Sequence, residues 1–375
     1  MARRAASIAD YRALAKARLP HFLFEYVDGG SYDEVTLARN IADLKAVALR
    51  QRVLRDVSDI DTSTELFGRR WALPVGLGPV GLAGLYARRG EVQAAGAAKR
   101  ANVPFTLSTV SACSVEEVAR AEPGFWFQLY FVRDRGFVEA MIERAKAAGC
   151  GALVLTVDLA VPGSRYRDAR AAGGGLKRLA QLLARPGWLW DVGIRGKPHS
   201  LGNLEEIVGR NAPLDDFQAW IHANFDPSVN WKDVEWVRQL WPGKLVIKGV
   251  LDPEDAERAV AAGADGIVVS NHGGRQLDGV VSTAAALPRC AEAVAGRAKV
   301  LVDGGVRSGL DVARMIALGA DFVLLGRAWA FALATGGGAE VTRMLGLVEA
   351  ELRVTMALTG TTRIADIDGS AIDRA

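Results

Sequence analysis

Short apolar runs recur along the chain, separated by stretches with helical spacing. They are "LPVGLG" (73–78), "PFTLS" (104–108), "FWFQLY" (125–130), "ALVLTVD" (152–158), "KLVIKG" (244–249), "GIVVS" (266–270), "KVLVD" (299–303) and "DFVLLG" (321–326). Most lack polar alternation, the pattern of strands buried on both faces in a parallel sheet. Three of the runs follow a glycine corner, in "AAGCGALVL", "AAGADGIVV" and "ALGADFVLL". A helix that ends at glycine and turns into the next strand explains that phrase. Eight strand signals separated by helices predict the α/β class and a (β/α)8 TIM barrel. A doubly wound sheet is the alternative, but no G-x-G-x-x-G opens a helix after the first strand.

The spacing breaks once. Residues 159–243 separate the fourth and fifth strand signals, far more than one crossover needs. "WKDVEWVRQLW" (231–241) reads as the missing barrel helix, so about 159–230 is an insertion on a βα loop of a single domain spanning 1–375. A helical N-terminal segment (7–40) precedes the barrel, and a C-terminal helix (about 338–358) follows it.

The insertion is unusual in charge. Residues 163–200 hold eight Lys and Arg against two Asp, whereas the whole chain, with 46 basic and 43 acidic residues, is only +3. Within it, "LKRLAQLLARPGWLW" (176–190) sets Leu176, Leu179, Leu182 and Leu183 at helical spacing. Pro186 and Gly187 are expected to end that helix, just ahead of Trp188 and Trp190. A basic amphipathic helix followed by tryptophans suits an anionic membrane surface. The alternative is a loop whose leucines cover the barrel or a neighbouring subunit. No run approaches the ~18 apolar residues of a membrane span, and the basic N-terminus lacks a signal-peptide core. Near-balanced charge argues against a nucleic-acid partner. Cys113, Cys150 and Cys290 are far apart, without metal-ligand spacing, and are expected to be reduced and structural.

Polar groups gather at the C-terminal ends of the strand signals: Ser108, Gln128 with Tyr130, Thr156 with Asp158, Lys248, Ser270 with His272, Asp303 and Arg327. Taken singly, each is a cap or a solvated charge. In a barrel they converge on one mouth. "VDGGVRSGLDVARMIALGADFVLLGR" (302–327) spans the last two strands, where barrels bind phosphate with loop amides and a helix N-terminus. Gly304, Gly305 and Gly326 allow close approach of an anion, and Arg307 and Arg327 add charge. Lys248, at an apolar strand end, needs an anionic partner. In "SNHGGRQLDG" (270–279), His272 is the candidate base and Asp158 can fix its tautomer. Arg275 and Arg165 can grip a carboxylate, with Tyr26 and Tyr130 as hydrogen-bond donors. No HxxxH or CxxC spacing suggests a metal.

These motifs, with "FLFEYVDGG", "GPVGLAGLYARRGE", "LSTVS", "WFQLY", "LTVD" and "VIKGVLDPEDA", resemble the FMN-dependent α-hydroxy-acid dehydrogenases and oxidases along nearly the whole chain. The resemblance implies that His272 is the active-site base and that Tyr26, Tyr130, Arg165 and Arg275 meet the substrate. It implies that FMN is held by Pro79, Val80, Gly81, Ser108, Gln128, Thr156, Lys248, Ser270 and the stretch from Asp303 to Arg327. The likeness is greatest to bacterial quinone-linked members that oxidise L-lactate. That implies a homotetramer on the cytoplasmic face of the cell membrane, with quinone as acceptor. Gly81 resembles the dehydrogenase branch, where oxidases carry alanine. The rival readings are an oxidase using oxygen, a mandelate-type dehydrogenase, and an FMN isomerase of a phosphorylated substrate that would share only the phosphate site.

Overall fold

The computed structural model describes residues 5–197, 199–205, 220 and 223–373. The N-terminal segment forms three helices, α1 (Ile8–Arg18), α2 (His21–Asp28) and α3 (Val35–Ala46). A hairpin follows, β1 (Thr64–Leu66) and β2 (Arg69–Trp71), which the sequence pattern does not reveal because three residues per strand are too few to show alternation. The barrel then runs β3 (Val75–Leu77), α4 (Gly90–Arg100), β4 (Thr106–Ser108), α5 (Val115–Ala121), β5 (Trp126–Tyr130), α6 (Arg135–Ala147) and β6 (Ala152–Thr156). After the insertion, which contains α7 (Tyr166–Ala172) and α8 (Gly175–Leu183), come α9 (Trp231–Leu240), β7 (Lys244–Val250), α10 (Pro253–Ala261) and β8 (Gly266–Val269). The chain ends with α11 (Thr283–Val294), β9 (Lys299–Val302), α12 (Gly309–Ala317), β10 (Phe322–Leu325) and α13 (Arg327–Thr359).

Strands β3 to β10 pair in parallel around one sheet, and a bridge between Leu77 and Phe105 joins β3 to β4 and closes it. The predicted (β/α)8 barrel is therefore the fold, and a doubly wound sheet is not. The two faces of the strands enter separate apolar clusters. Leu153, Leu155, Ile267, Val269, Val323 and Leu325 join the layer with the helices. Val154, Val246, Val268, Leu301, Phe322 and Leu324 fill the interior with Leu66 and Trp71 of the hairpin. Each such burial contributes about 1.5–3 kcal/mol, and burial on both faces explains why the strands lack polar alternation. The three glycine corners behave as expected: Gly149, Gly263 and Gly319 all take positive φ.

One detail differs from the sequence reading. α8 ends at Leu183, and Pro186 opens a new turn of helix (Pro186–Trp188) that runs into a π-helical turn, Leu189–Ile194. Proline fits there because the first helical position needs no amide hydrogen. The C-terminal helix is set off from the last barrel helix by a kink at non-helical Gly336 and Gly337, so it starts and ends where the sequence pattern places it. Residues 198, 206–219 and 221–222 of the insertion lie outside the described residues. Leu176, Leu179 and Leu183 are 85%, 49% and 61% exposed. They do not cover the barrel; of the four leucines only Leu182 packs on the core. No helix among the described residues is long and apolar enough to cross a membrane.

Gly149 and Gly305 separate two costs of adding a methyl group. Gly149→Ala is expected to cost about 1–2 kcal/mol from left-handed strain alone, since nothing lies within 4 Å of the new Cβ. Gly305→Ala adds a Cβ 2.2 Å from the Asn40 carbonyl of α3, so it must also displace backbone. Urea unfolding should rank wild type above Gly149→Ala and Gly149→Ala above Gly305→Ala; equal midpoints for the two variants would contradict the close docking of α3.

Candidate active site

The C-terminal ends of the barrel strands surround a cavity of about 500 Å³, a size common for small-molecule sites. His272 reaches it from the loop after β8, in the left-handed region at φ 56°. Its Nδ1 lies 2.9 Å from Oδ1 of Asp158, which follows β6. The carboxylate approaches this closely because the neighbouring strand carries a bulge at Gly249, where a Cβ would sit 2.6 Å from the Asp158 Cβ. Burial pushes the imidazole below its ordinary value of 6.5, outweighing the upward pull of Asp158. Burial opposes ionisation of Asp158 too, yet His272 and Lys248 hold it below the usual carboxylate range. At neutral pH the pair is a neutral imidazole donating its Nδ1 proton to a carboxylate, which leaves Nε2 as a free base.

Beside it, Lys248 Nζ lies 2.9 Å from Asp303 Oδ2 and donates to Ser270 Oγ at 2.9 Å. Ser270 Oγ donates to Asp303 Oδ1 at 2.7 Å and accepts from the His272 amide at 3.1 Å. Burial works against the ammonium, but Asp303 and Asp158 raise its pKa above the ordinary value, so it stays charged. The anionic partner that Lys248 requires is thus already present as Asp303.

Arg275 donates through Nη1 to the carbonyls of Tyr26 (2.6 Å) and Gly29 (2.8 Å). Its guanidinium carbon stands 5.0 Å from the Tyr26 ring centre, and that of Arg165 stands 5.9 Å away. Burial, reinforced by Arg275, lowers the pKa of Arg165. Tyr130 lines the same space and packs on Phe225 with ring centres 5.3 Å apart.

The far end of the cavity is rich in backbone and could cradle an anion. Gly304, Gly305, Arg307 and Gly326 line it. α13 begins there with no side-chain cap, and space is open beside Gly326. At the N-terminus of α12, protein groups take the amides: Ser308 caps the helix and Glu351 accepts from the Gly309 amide. Arg327 lines the cavity but donates to the carbonyls of Val27, Gly29 and Gly273 at 2.7–3.0 Å, so it braces the wall. Among the described residues, the buried Gln128 Nε2 on β5 and Thr156 Oγ1 at the end of β6 are without a hydrogen-bond partner. Ser108 Oγ donates to Gln128 Oε1 at 2.9 Å and so turns the amide. Unpaired buried polar atoms are costly. With a lysine at one end and an anion cradle at the other, they fit an elongated ligand with a polar ring and a phosphate.

Most of the expected residues therefore meet. Pro79, Val80, Gly81, Tyr26, Tyr130, Thr156, Arg165, Lys248, His272, Arg275 and Asp303 line the cavity. Asp158 and Ser270 stand behind them and orient His272, Lys248 and Asp303, while Ser108 orients the buried Gln128, whose Nε2 is left unpaired. Gly273 lines the cavity, and it and Gly274 lie close against neighbouring protein groups. A Cβ at Gly273 would meet the Arg327 guanidinium at 2.7 Å, and one at Gly274 would meet the Leu37 amide at 2.6 Å. The sequence reading missed Asp168, Phe22, Tyr86, Leu159, Phe225 and Arg178, all on the wall. Asp168 was findable, because it sits one helical turn after Arg165. The apolar residues carry no such signal.

The His272 pKa gives a stability prediction. Its folded value lies below its unfolded value, so the contribution from burying it neutral is complete above pH 6.5 and is lost as the pH falls below that. A histidine ¹⁵N titration by NMR, with His272→Gln to assign the resonance, should show the Nδ1–H tautomer and a protonation midpoint below 6.5. A midpoint above 6.5 would contradict the burial argument.

The pattern of the FMN-dependent dehydrogenases matches residues 15–374. The L-lactate dehydrogenase of Xanthomonas campestris pv. campestris (strain B100) is 60% identical over 371 residues, covering 98% of this chain and 96% of that protein. The L-lactate dehydrogenase of Xanthomonas oryzae pv. oryzae (strain PXO99A) is 61% identical over the same span. Among solved structures, the monotopic membrane protein (S)-mandelate dehydrogenase superimposes with a TM-score of 0.94 at 35% identity over the whole of both chains. Mandelate oxidase does so with 0.85 at 38% identity, covering 99% and 98%. A family pattern that extends over so much of the sequence assigns it: the chain belongs to the FMN-dependent dehydrogenases.

Proposed function

We propose that the protein oxidises L-lactate to pyruvate and passes the electrons to a membrane quinone. The observation that carries the reading is the meeting of three groups in one cavity: the free face of His272 and the guanidiniums of Arg165 and Arg275 beside the Tyr26 ring. Two buried guanidiniums select a small carboxylate, and a base next to them addresses its neighbouring hydroxyl-bearing carbon. The family's FMN fits the remaining features. Gln128 and Thr156 would meet the polar edge of its ring, Lys248 its negative charge, and Gly304, Gly305, Arg307 and the start of α13 its phosphate. When bound, FMN supplies the two-electron acceptor. Arg275 and Arg165 orient the acid, Nε2 of His272 takes a proton, and Asp158 stabilises the imidazolium that results. Relatives at 60% identity named L-lactate dehydrogenase support lactate as the acid.

A second substrate reading has its own support. Phe22, Leu159 and Phe225 give the mouth an apolar rim suited to a phenyl group, and the structural neighbour is a mandelate dehydrogenase. The yellow holoenzyme should be bleached without air by L-lactate and not by D-lactate, with a higher kcat/KM for L-lactate than for (S)-mandelate. Faster turnover of (S)-mandelate would favour the second reading, and bleaching by neither acid would defeat both. A Cβ at Gly81 would stand 2.8 Å from the Val110 side chain and 3.8 Å from the Tyr26 hydroxyl, and we expect peroxide formation in air to lag well behind dye-linked turnover.

The acceptor reading rests on α8. Its Leu176, Leu179 and Leu183, and beyond it Trp190 and Ile194, are exposed in a stretch that also carries Lys177, Arg178, Arg185 and Arg195. α8 lies over the cavity: Arg178 sits 4.9 Å above the Phe22 ring, and the Phe22 amide donates to Gln181. The structural neighbour is a monotopic membrane protein. The segment would dock on the cytoplasmic face of an anionic membrane, each basic residue contributing ~1 kcal/mol, in a homotetramer whose mass light scattering reads. Replacing the exposed Leu176, Leu179 and Leu183 by serine should abolish sedimentation with anionic vesicles and spare lactate–dye activity. Equal vesicle binding by both forms would remove the segment from that role.

A further inference from the structure

Two carboxylates line the cavity among the described residues. Asp303 is paired with Lys248 and is accounted for. Asp168, on the first turn of α7, is not used by the mechanism. Its Oδ2 lies 3.6 Å from Arg165 Nη1, longer than a hydrogen bond, and its Oδ1 is buried with no partner. The surrounding charges are Arg165 and Arg167 on its own helix, Arg275 from the loop after β8 and Arg178 from α8, with the Tyr26 phenol on α2. Arg167 is turned away and held by Glu25, Asp28 and Glu34. Among the described residues, Asp168 is therefore the one carboxylate within ion-pair distance of Arg165.

The placement resembles a substrate carboxylate already in the pocket. Two guanidiniums this close repel each other in a low-dielectric cavity, and a resident anion offsets that repulsion. The same anion repels any carboxylate that enters. Burial already raises the Asp168 pKa despite the pull of Arg275, Arg165 and Arg167, so its charge is costly where it stands.

We propose that Asp168 is a built-in competitor for the substrate carboxylate. Binding of a 2-hydroxy acid replaces one carboxylate by another on Arg165, so anion affinity is held down. The 2-oxo acid product, itself a carboxylate, is displaced more readily, and stray cellular anions are kept from occupying two unpaired guanidiniums. Asp168 is thus a specificity-determining and positioning residue. The inference rests on the carboxylate-binding reading above.

The test uses holoenzyme and oxalate, followed by the absorption change of the bound flavin. Asp168→Asn should bind oxalate about tenfold tighter, as removal of one like charge a few ångström away implies. A merely structural role predicts the reverse, since a displaced Arg165 binds anions less well. Asp168→Glu, which keeps the charge, should stay within about threefold of wild type, and Asp168→Ser serves if the asparagine variant fails to load flavin. Equal or weaker oxalate binding by the uncharged variants would overturn the proposal, as would equal tightening by the glutamate. If wild type itself fails to bind oxalate, the carboxylate-pocket reading fails instead, so the two failures are distinguishable.

Discussion

The site depends on the hydrogen bond between His272 Nδ1 and Asp158. A buried imidazole can rotate, change tautomer or protonate, and only one of those states leaves Nε2 as a base facing the cavity. Asp158 selects that state, and several features of the fold hold Asp158 and His272 in place. The bulge at Gly249 opens space for the carboxylate. Gln276, four residues after His272, donates to the Asp158 carbonyl at 2.8 Å. The His272 amide is tied to Ser270, which is tied to Lys248 and Asp303. Cofactor-facing and substrate-facing groups therefore share one hydrogen-bonded frame.

The N-terminal helices belong to that frame. Asn40 of α3 and Asn271 exchange side-chain hydrogen bonds of 2.8 Å in both directions, and Asp278 caps α3 at Val35 and Thr36. The Gly29 carbonyl accepts from both Arg275 and Arg327. Five guanidiniums, those of Arg165, Arg178, Arg275, Arg307 and Arg327, line the cavity; carbonyls brace Arg275, Arg307 and Arg327, and Asp168 stands beside Arg165. A chain without this segment would leave the carboxylate end of the cavity open and its cations unbraced.

The barrel was legible because its strands are buried on both faces, which writes continuous apolar runs into the sequence. The strand-end positions of His272, Lys248 and Asp158 were legible for the same reason, since a barrel delivers strand ends to one mouth. What escaped has physical causes. Hairpin strands of three residues carry no period, and the apolar wall of Phe22, Leu159 and Phe225 is indistinguishable in sequence from core. Whether Arg327 meets a ligand or braces the wall depends on carbonyls three hundred residues away. Pro186 follows the end of α8, as its sequence signal implies, but it also opens the next turn, since proline at a first helical position is equally a start.

The central claim is that His272 takes the substrate's proton while other groups hold the flavin. Anaerobic stopped-flow reduction of the His272→Gln holoenzyme by L-lactate measures it directly. The account predicts a flavin spectrum and FMN content like those of wild type, with reduction slowed by on the order of 10²–10⁴. Reduction at the wild-type rate would contradict it.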